Sequence, residues 1–76
     1  MNAQERAKSG SERFCRNVKI LRERKGLSVK ELSELSGVSE YMITNFEKGI
    51  ISKRANAFHV FKLCDAFEIE VDKIFL

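Results

Sequence analysis

Apolar residues recur along most of this chain at spacings of three and four. Phe14, Val18 and Leu21 stand at i, i+4 and i+7, one face of a helix starting near Ser11 or Glu12 and running to about Lys25. Arg22, Arg24 and Lys25 fill its last turn, where the macrodipole favours cations, and Gly26 supplies the stop. Ser28 caps a second helix, and Glu31, three residues on, completes a capping box. Val29, Leu32 and Leu35 form its apolar stripe, and Gly37 ends it in a left-handed conformation. After Val38, Ser39 caps a third helix over about Glu40 to Lys48, closed by Gly49. The connection Gly37-Val38-Ser39 is so short, with an apolar residue at its centre, that it fixes helices 2 and 3 at a steep angle.

On helix 3, Ile43 and Phe46 face inward, while Glu40, Tyr41, Thr44, Asn45 and Lys48 form a continuous stripe on the opposite face that packing does not require. Ile50 to Arg54 reads as a loop, with helix 4 beginning at Ser52 or after the alternative cap Asn56. Ala57, Val60, Phe61, Cys64 and Phe67 carry that helix; Ile69 and Glu70 break it, and Val71 to Phe75 is a short fifth one bearing Val71, Ile74 and Phe75. Residues 1–11 contain nothing apolar larger than Ala beyond Met1 and end in Ser-Gly-Ser, so they read as a flexible tail. Its Arg6 and Lys8 are in reach of phosphates or simply solvated. The expectation is an all-α fold of five helices in one domain, residues 12–76.

A chain of 76 residues sits near the lower limit at which one apolar core suffices. A large active-site cavity would compete with that core for the same few side chains, so size favours a binding module over an enzyme. Cys15 and Cys64 lie within helical apolar patterns and read as buried free thiols; no CxxC or Cys–His spacing suits zinc. No metal or cofactor site is indicated. No apolar run approaches a membrane span, and the polar N-terminus has no signal-peptide core, so a cytoplasmic protein is expected. His59, the only histidine, has Cys64 and Asp65 five and six positions on, off its own helix face, and no nucleophile–base pair is visible. The net charge of +3 is unevenly spread. Residues 12–25 carry six basic and two acidic side chains, and residues 52–64 carry Lys53, Arg54 and Lys62 with no acid, whereas residues 65–76 come to −3. If the two basic segments converge, they form an anion-facing surface with the acidic end turned away.

The run Leu27-Ser28-x-x-Glu31-Leu32-x-x-x-x-Gly37-Val38-Ser39-x-x-x-Ile43-x-x-x-Glu47-x-Gly49 resembles the phage-repressor and Cro type helix-turn-helix, the XRE family. The ending Ala66-Phe67-Glu68-Ile69-x-Val71-Asp72-x-Ile74-Phe75 resembles that family's fifth-helix signature, and together the two cover residues 14–75. The resemblance implies a compact lambda-repressor-like domain that binds double-stranded DNA, with helix 3 in the major groove and helix 2 across the backbone. By position, Glu40, Tyr41, Thr44 and Asn45 would reach base edges. Asn45 suits adenine, Glu40 the amino group of cytosine, and Thr44 or Tyr41 a thymine methyl. Phosphate contacts would come from Ser28, Lys30, Ser39, Lys48, Lys53 and Arg54, with the amides at the starts of helices 2 and 4. Arg22 and Glu47 would form a structural ion pair between helix 1 and the end of helix 3.

Three positions depart from the pattern. Val29 stands where the family often has a phosphate-holding Gln, with Lys30 next to it as a substitute. Glu40 places a negative charge at the groove-facing end of helix 3, where it either meets a base donor or serves the helix N-terminus. The loop after Gly49 is about two residues longer than usual and carries Ile50 and Ile51, which would cover the core, meet a dimer partner or brush the DNA backbone. The function implied is sequence-specific transcriptional regulation, repression being the expected sense, by a homodimer whose candidate interface is Ile74, Phe75 and Leu76, unless Ile74 and Phe75 simply close the core. The alternative is an antitoxin or adaptor that uses the same fold to bind a protein partner.

Overall fold

The computed structural model describes the backbone of residues 3–76 and the side chains of residues 10–76. Its elements are α1 (Ala3–Arg24), α2 (Val29–Ser36), α3 (Glu40–Glu47), α4 (Ala57–Phe67) and a 3-10 turn, Val71–Phe75, with no strand among the described residues. The expected fifth helix is this 3-10 turn: five residues cannot complete a second turn of α-helix, and the tighter winding suffices to place Ile74.

The first helix begins well before the expected start near Ser11 or Glu12, so the backbone of residues 3–11 is helical. Ala3, Gln4, Glu5, Arg6, Ala7 and Lys8 are strong helix formers, and adding turns to a helix already nucleated further along requires no new nucleus.

The core is assembled from every element. Phe14 and Val18 of α1, Leu32 of α2, Val38 between the helices, and Ile43 and Phe46 of α3 are all buried, as are Leu63, Cys64 and Phe67 of α4 and Ile74 of the final turn. The Phe14 ring meets Phe46 edge-on at 5.1 Å and stacks on Phe75 at 5.7 Å, tying α1 to both α3 and the C-terminal turn. α2 packs against α3 and α4. Cys15 and Cys64 are free and buried, and burial raises both thiols above their ordinary pKa.

Two residues assigned to apolar stripes face outward instead. Leu35 is 62% exposed, because steps of three drift about 60° around a helix. With Leu32 centred on the core, Val29 keeps a half-buried place and Leu35 rotates off it. On α4 the core takes Leu63 beside Val60 and Cys64, which turns Phe61 outward, where its ring pairs edge-on with that of exposed Phe58 at 6.4 Å.

Candidate nucleic-acid interface

The segment from α2 to α3 is closed by its own hydrogen bonds. At its start, the Ser28 hydroxyl oxygen accepts from the Glu31 amide at 3.0 Å and the Glu31 carboxylate accepts from the Ser28 amide at 2.9 Å. These Ser28 groups hold Glu31 below the usual carboxylate range. Gly37 takes the left-handed conformation at φ 78° and donates its amide to the Ser33 carbonyl at 2.8 Å. The Val38 amide then donates to the Ser36 hydroxyl oxygen, while the Val38 side chain, 1% exposed, plugs the core. Ser39 caps α3 by accepting from the Met42 amide at 3.2 Å. Three residues thus join the two helices, with the Gly37 and Val38 amides both bonded, and the direction of α3 follows from them.

The two faces of α3 differ sharply. Met42, Ile43 and Phe46 are buried, whereas Glu40 and Tyr41 are exposed, Tyr41 to 75%. Thr44 and Asn45 are half-buried and Lys48 is exposed, so the five residues of the outward stripe remain on one side of the helix. Among the described residues no hydrogen bond occupies the side chains of Glu40, Tyr41, Thr44 or Asn45. The Asn45 main chain, by contrast, is engaged: its carbonyl accepts from the amides of Lys48 and Ile50, the latter at 2.8 Å, as Gly49 turns left-handed at φ 84°.

Arg22 and Glu47 come together at the far end of this helix. Arg22 Nε donates to Glu47 Oε2 at 2.7 Å and Nη2 to Oε1 at 2.9 Å, a bidentate pair with side chains only 15% and 11% exposed. Nη1 donates to the Leu27 carbonyl at 2.7 Å. The guanidinium therefore ties three segments together: α1, the entry to α2 and the end of α3. The hydrogen bond to Glu47 raises the Arg22 pKa further, so this charge is permanent.

Of the remaining expected contacts, Ser28, Lys30, Ser39, Lys53 and Arg54 are all exposed. The Ser28 and Ser39 oxygens accept amides within their own caps; the Ser39 hydroxyl proton is left available to an anion, while that of Ser28 is turned to the Glu31 carboxylate. Val29 is half-buried against the core and has no polar group to offer. Ile50 and Ile51 are both about half exposed, and Ile51 lines an apolar groove of about 190 Å³ with Phe14, Phe46, Val60 and Phe75. The side chains of Arg6 and Lys8 lie outside the described residues. At the C-terminus, Ile74 is fully buried and closes the core, so it is removed from any interface between copies; Phe75 is partly covered by Phe14, and Leu76 is open.

Helix 4 starts at Ala57, capped by Asn56, whose side-chain oxygen accepts from the Phe58 amide at 2.8 Å. His59 has a role that the sequence reading missed: its Nδ1 accepts from the Asn56 amide at 3.0 Å, taking the place that Glu or Gln holds in a capping box. The Asn-x-x-His spacing was the available signal. Asn17 and Arg16 were also overlooked; they donate to the carbonyls of Ile74 and Leu76, at 2.8 and 3.0 Å, and anchor the C-terminal turn to α1.

A helix-turn-helix family model matches residues 18–74, from the middle of α1 through the final turn. The chain belongs to the Cro/repressor-type helix-turn-helix family. No curated protein matches it. In this helix-turn-helix, α2, the Gly37-Val38-Ser39 turn and α3 are the bihelical unit, and the family places its function in DNA binding of the transcription-regulator type. No helix among the described residues is long and apolar enough to cross a membrane.

Proposed function

We propose that this protein is a sequence-specific transcriptional regulator that reads double-stranded DNA with the outward face of α3. The observation that carries the reading is that face itself: Glu40, Tyr41, Thr44 and Asn45 project from a helix whose other side is locked in the core, and their polar groups have no partner among the described residues. Asn45 supplies the donor–acceptor pair that matches adenine, Thr44 and Tyr41 offer contact to thymine methyls, and Glu40 accepts from cytosine. Phosphates are met by Lys48, Lys53 and Arg54 beyond α3, and by Ser28, Lys30 and Ser39 at the helix starts.

The arrangement suits a repressor acting in the cytoplasm, since a domain of this size occludes only a short stretch of DNA. One such domain buries roughly 600–1,000 Å² on DNA, so binding as a homodimer at half-sites about 34 Å apart supplies the missing affinity. Of the C-terminal residues considered for that pairing, Phe75 and Leu76 retain exposed surface.

Selection of duplexes from random sequence, followed by a salt series, tests the reading. Asn45→Ala is expected to cost about 1–3 kcal/mol of binding at one base position. Lys53→Ala is expected to weaken all sequences alike and to lower the salt slope by about one unit. Absence of any enriched sequence, with binding no tighter than about 10⁻⁴ M, would sink the regulator reading and favour the antitoxin or adaptor role.

A further inference from the structure

Two surfaces lie outside the proposed DNA contacts, the first sharing only Leu76 with the residues considered for pairing, and each has what the other lacks. The first is a groove of about 320 Å³ between α1 and the C-terminal turn. Ile20, Ile69 and Leu76 supply its apolar floor and Arg16, Arg24 and Lys73 its rim; no carboxylate lines it. Arg16, Ile20 and Arg24 follow one another at intervals of four, a single row along α1. Arg22 lies two positions from Ile20, about 200° around the helix. The groove therefore opens on the flank of α1 turned away from the Arg22–Glu47 pair and from α3.

The second surface is the outer edge of α2. Leu35 stands 62% exposed although an amphipathic pattern brought it there, and it shares a shallow surface with Leu27, Glu31 and Glu34. No cation lines that surface, and among the described residues the ion pair is Arg22–Glu47, so no described cation neutralises either carboxylate. Leu35 and Glu34 face no partner among the described residues, and in the groove Arg24 and Lys73 have none either, whereas Glu31 is held by the Ser28 amide and Arg16 by the Leu76 carbonyl.

We propose that the occupant of the groove is a second copy of this chain, which inserts Leu35 onto the floor formed by Ile20, Ile69 and Leu76 and sets Glu31 and Glu34 against Arg16, Arg24 and Lys73. The charge complementarity points to the partner: an acidic-apolar edge and a basic-apolar groove belong to the same molecule. Because two different surfaces meet, the contact is heterologous and repeats from copy to copy. A handful of residues on each side is far below the 20–30 of a standard interface, so the contact is weak in free solution. Molecules held side by side on DNA experience effective concentrations in the millimolar range, where a weak contact becomes cooperative binding. This last consequence rests on the proposed function; the contact itself does not.

Sedimentation velocity of the full chain without DNA, over a concentration series up to about 1 mM, tests the contact separately from DNA binding. The weight-average mass is expected to rise with concentration and to fall back as ionic strength goes from about 0.05 to about 0.5 M. Glu34→Lys alone, and Arg24→Glu with Lys73→Glu, should each weaken association by about tenfold or more while leaving the helical circular dichroism and melting curve in place. An equimolar mixture of the two variants should recover association, since an intact groove then meets an intact edge. A chain that stays monomeric throughout overturns the proposal. So does association that both variants retain, that the mixture fails to restore, or that Phe58→Ser alone abolishes.

Discussion

Helix α3 is entered and left by two very different segments. Before α3, three residues join the helices, the Gly37 and Val38 amides are both bonded, Ser39 caps the next helix, and Val38 is driven into the core. After α3, the segment from Lys48 to Asn56 carries half-exposed Ile50 and Ile51 and is braced by local bonds from Ile50 to Asn45, Arg54 to Ser52 and Ala55 to Ser52. The first segment sets a direction and the second only spans a distance. A domain that positions one helix for recognition needs rigidity at the end where the direction is set. At the other end it uses a long-range lock, Arg22 against Glu47, in place of a tight turn.

Mutations separate these contributions by size. Phe46→Ala removes the ring that joins α3 to Phe14 and should cost about 3–5 kcal/mol. Chemical denaturation would read this as loss of most of the stability of a chain this short; a loss under about 1 kcal/mol would mean that α3 is not held by its inner face. Arg22→Ala comes next, at about 3 kcal/mol, because the Glu47 carboxylate and the Leu27 carbonyl lose their donor while still largely covered. Its companion Glu47→Ala should be comparably destabilising and the double variant less than additive, which a double-mutant cycle measures.

Gly37→Ala probes the tight turn itself. Holding φ at 78° with a Cβ should cost about 1–2 kcal/mol, although open space surrounds the new carbon, so the penalty is conformational and not steric crowding. A glycine inserted after Ile51 should cost only about 0.1 kcal/mol of closure entropy, because that entropy changes slowly with the length of a surface loop. Equal effects at the two sites would erase the contrast between them.

The smallest effect concerns pH. Glu31 has its pKa depressed in the folded state by the Ser28 amide and hydroxyl. Its contribution is therefore present above the unfolded carboxylate pKa and is lost as pH falls through the lower, folded value. Comparing melts of the wild type and Glu31→Gln should show a gap at neutral pH that closes below about pH 4. The buried thiols act in the opposite sense. Cys15 and Cys64 are raised in the folded state, so stability is complete below their unfolded pKa and declines as pH rises beyond it.

What was legible in the chain is what neighbouring residues decide among themselves. Ser28 with Glu31, Gly37, Ser39 and Asn56 determine helix ends through bonds spanning two to four residues, and each of these caps occurs in the structure. The outward stripe of α3 was equally local, since it follows from the helical repeat once Ile43 and Phe46 point inward. Arg22 and Glu47 were paired by family resemblance, across a separation at which composition and spacing have no reach.

Tertiary structure decided everything that depends on which side of a helix is covered, and by how much. Leu35 and Phe61 carry the right spacing for burial and are exposed, because the core had room for Leu32 and Leu63 and the period of 3.6 carries the next apolar residue off it. Ile74 was offered to a partner and is wholly inside. Glu68, which no local pattern marks, ends α4 at φ 57°, a strained conformation for a residue with a Cβ, held because Ile69 must turn back to bond the Cys64 carbonyl and lead the chain toward Ile74. By itself, the sequence determined where helices begin and end, since hydrogen bonds between near neighbours are written in residue types. Burial and strain were left to the fold, because they depend on what lies across the core, and a pattern along one helix carries no record of its neighbours.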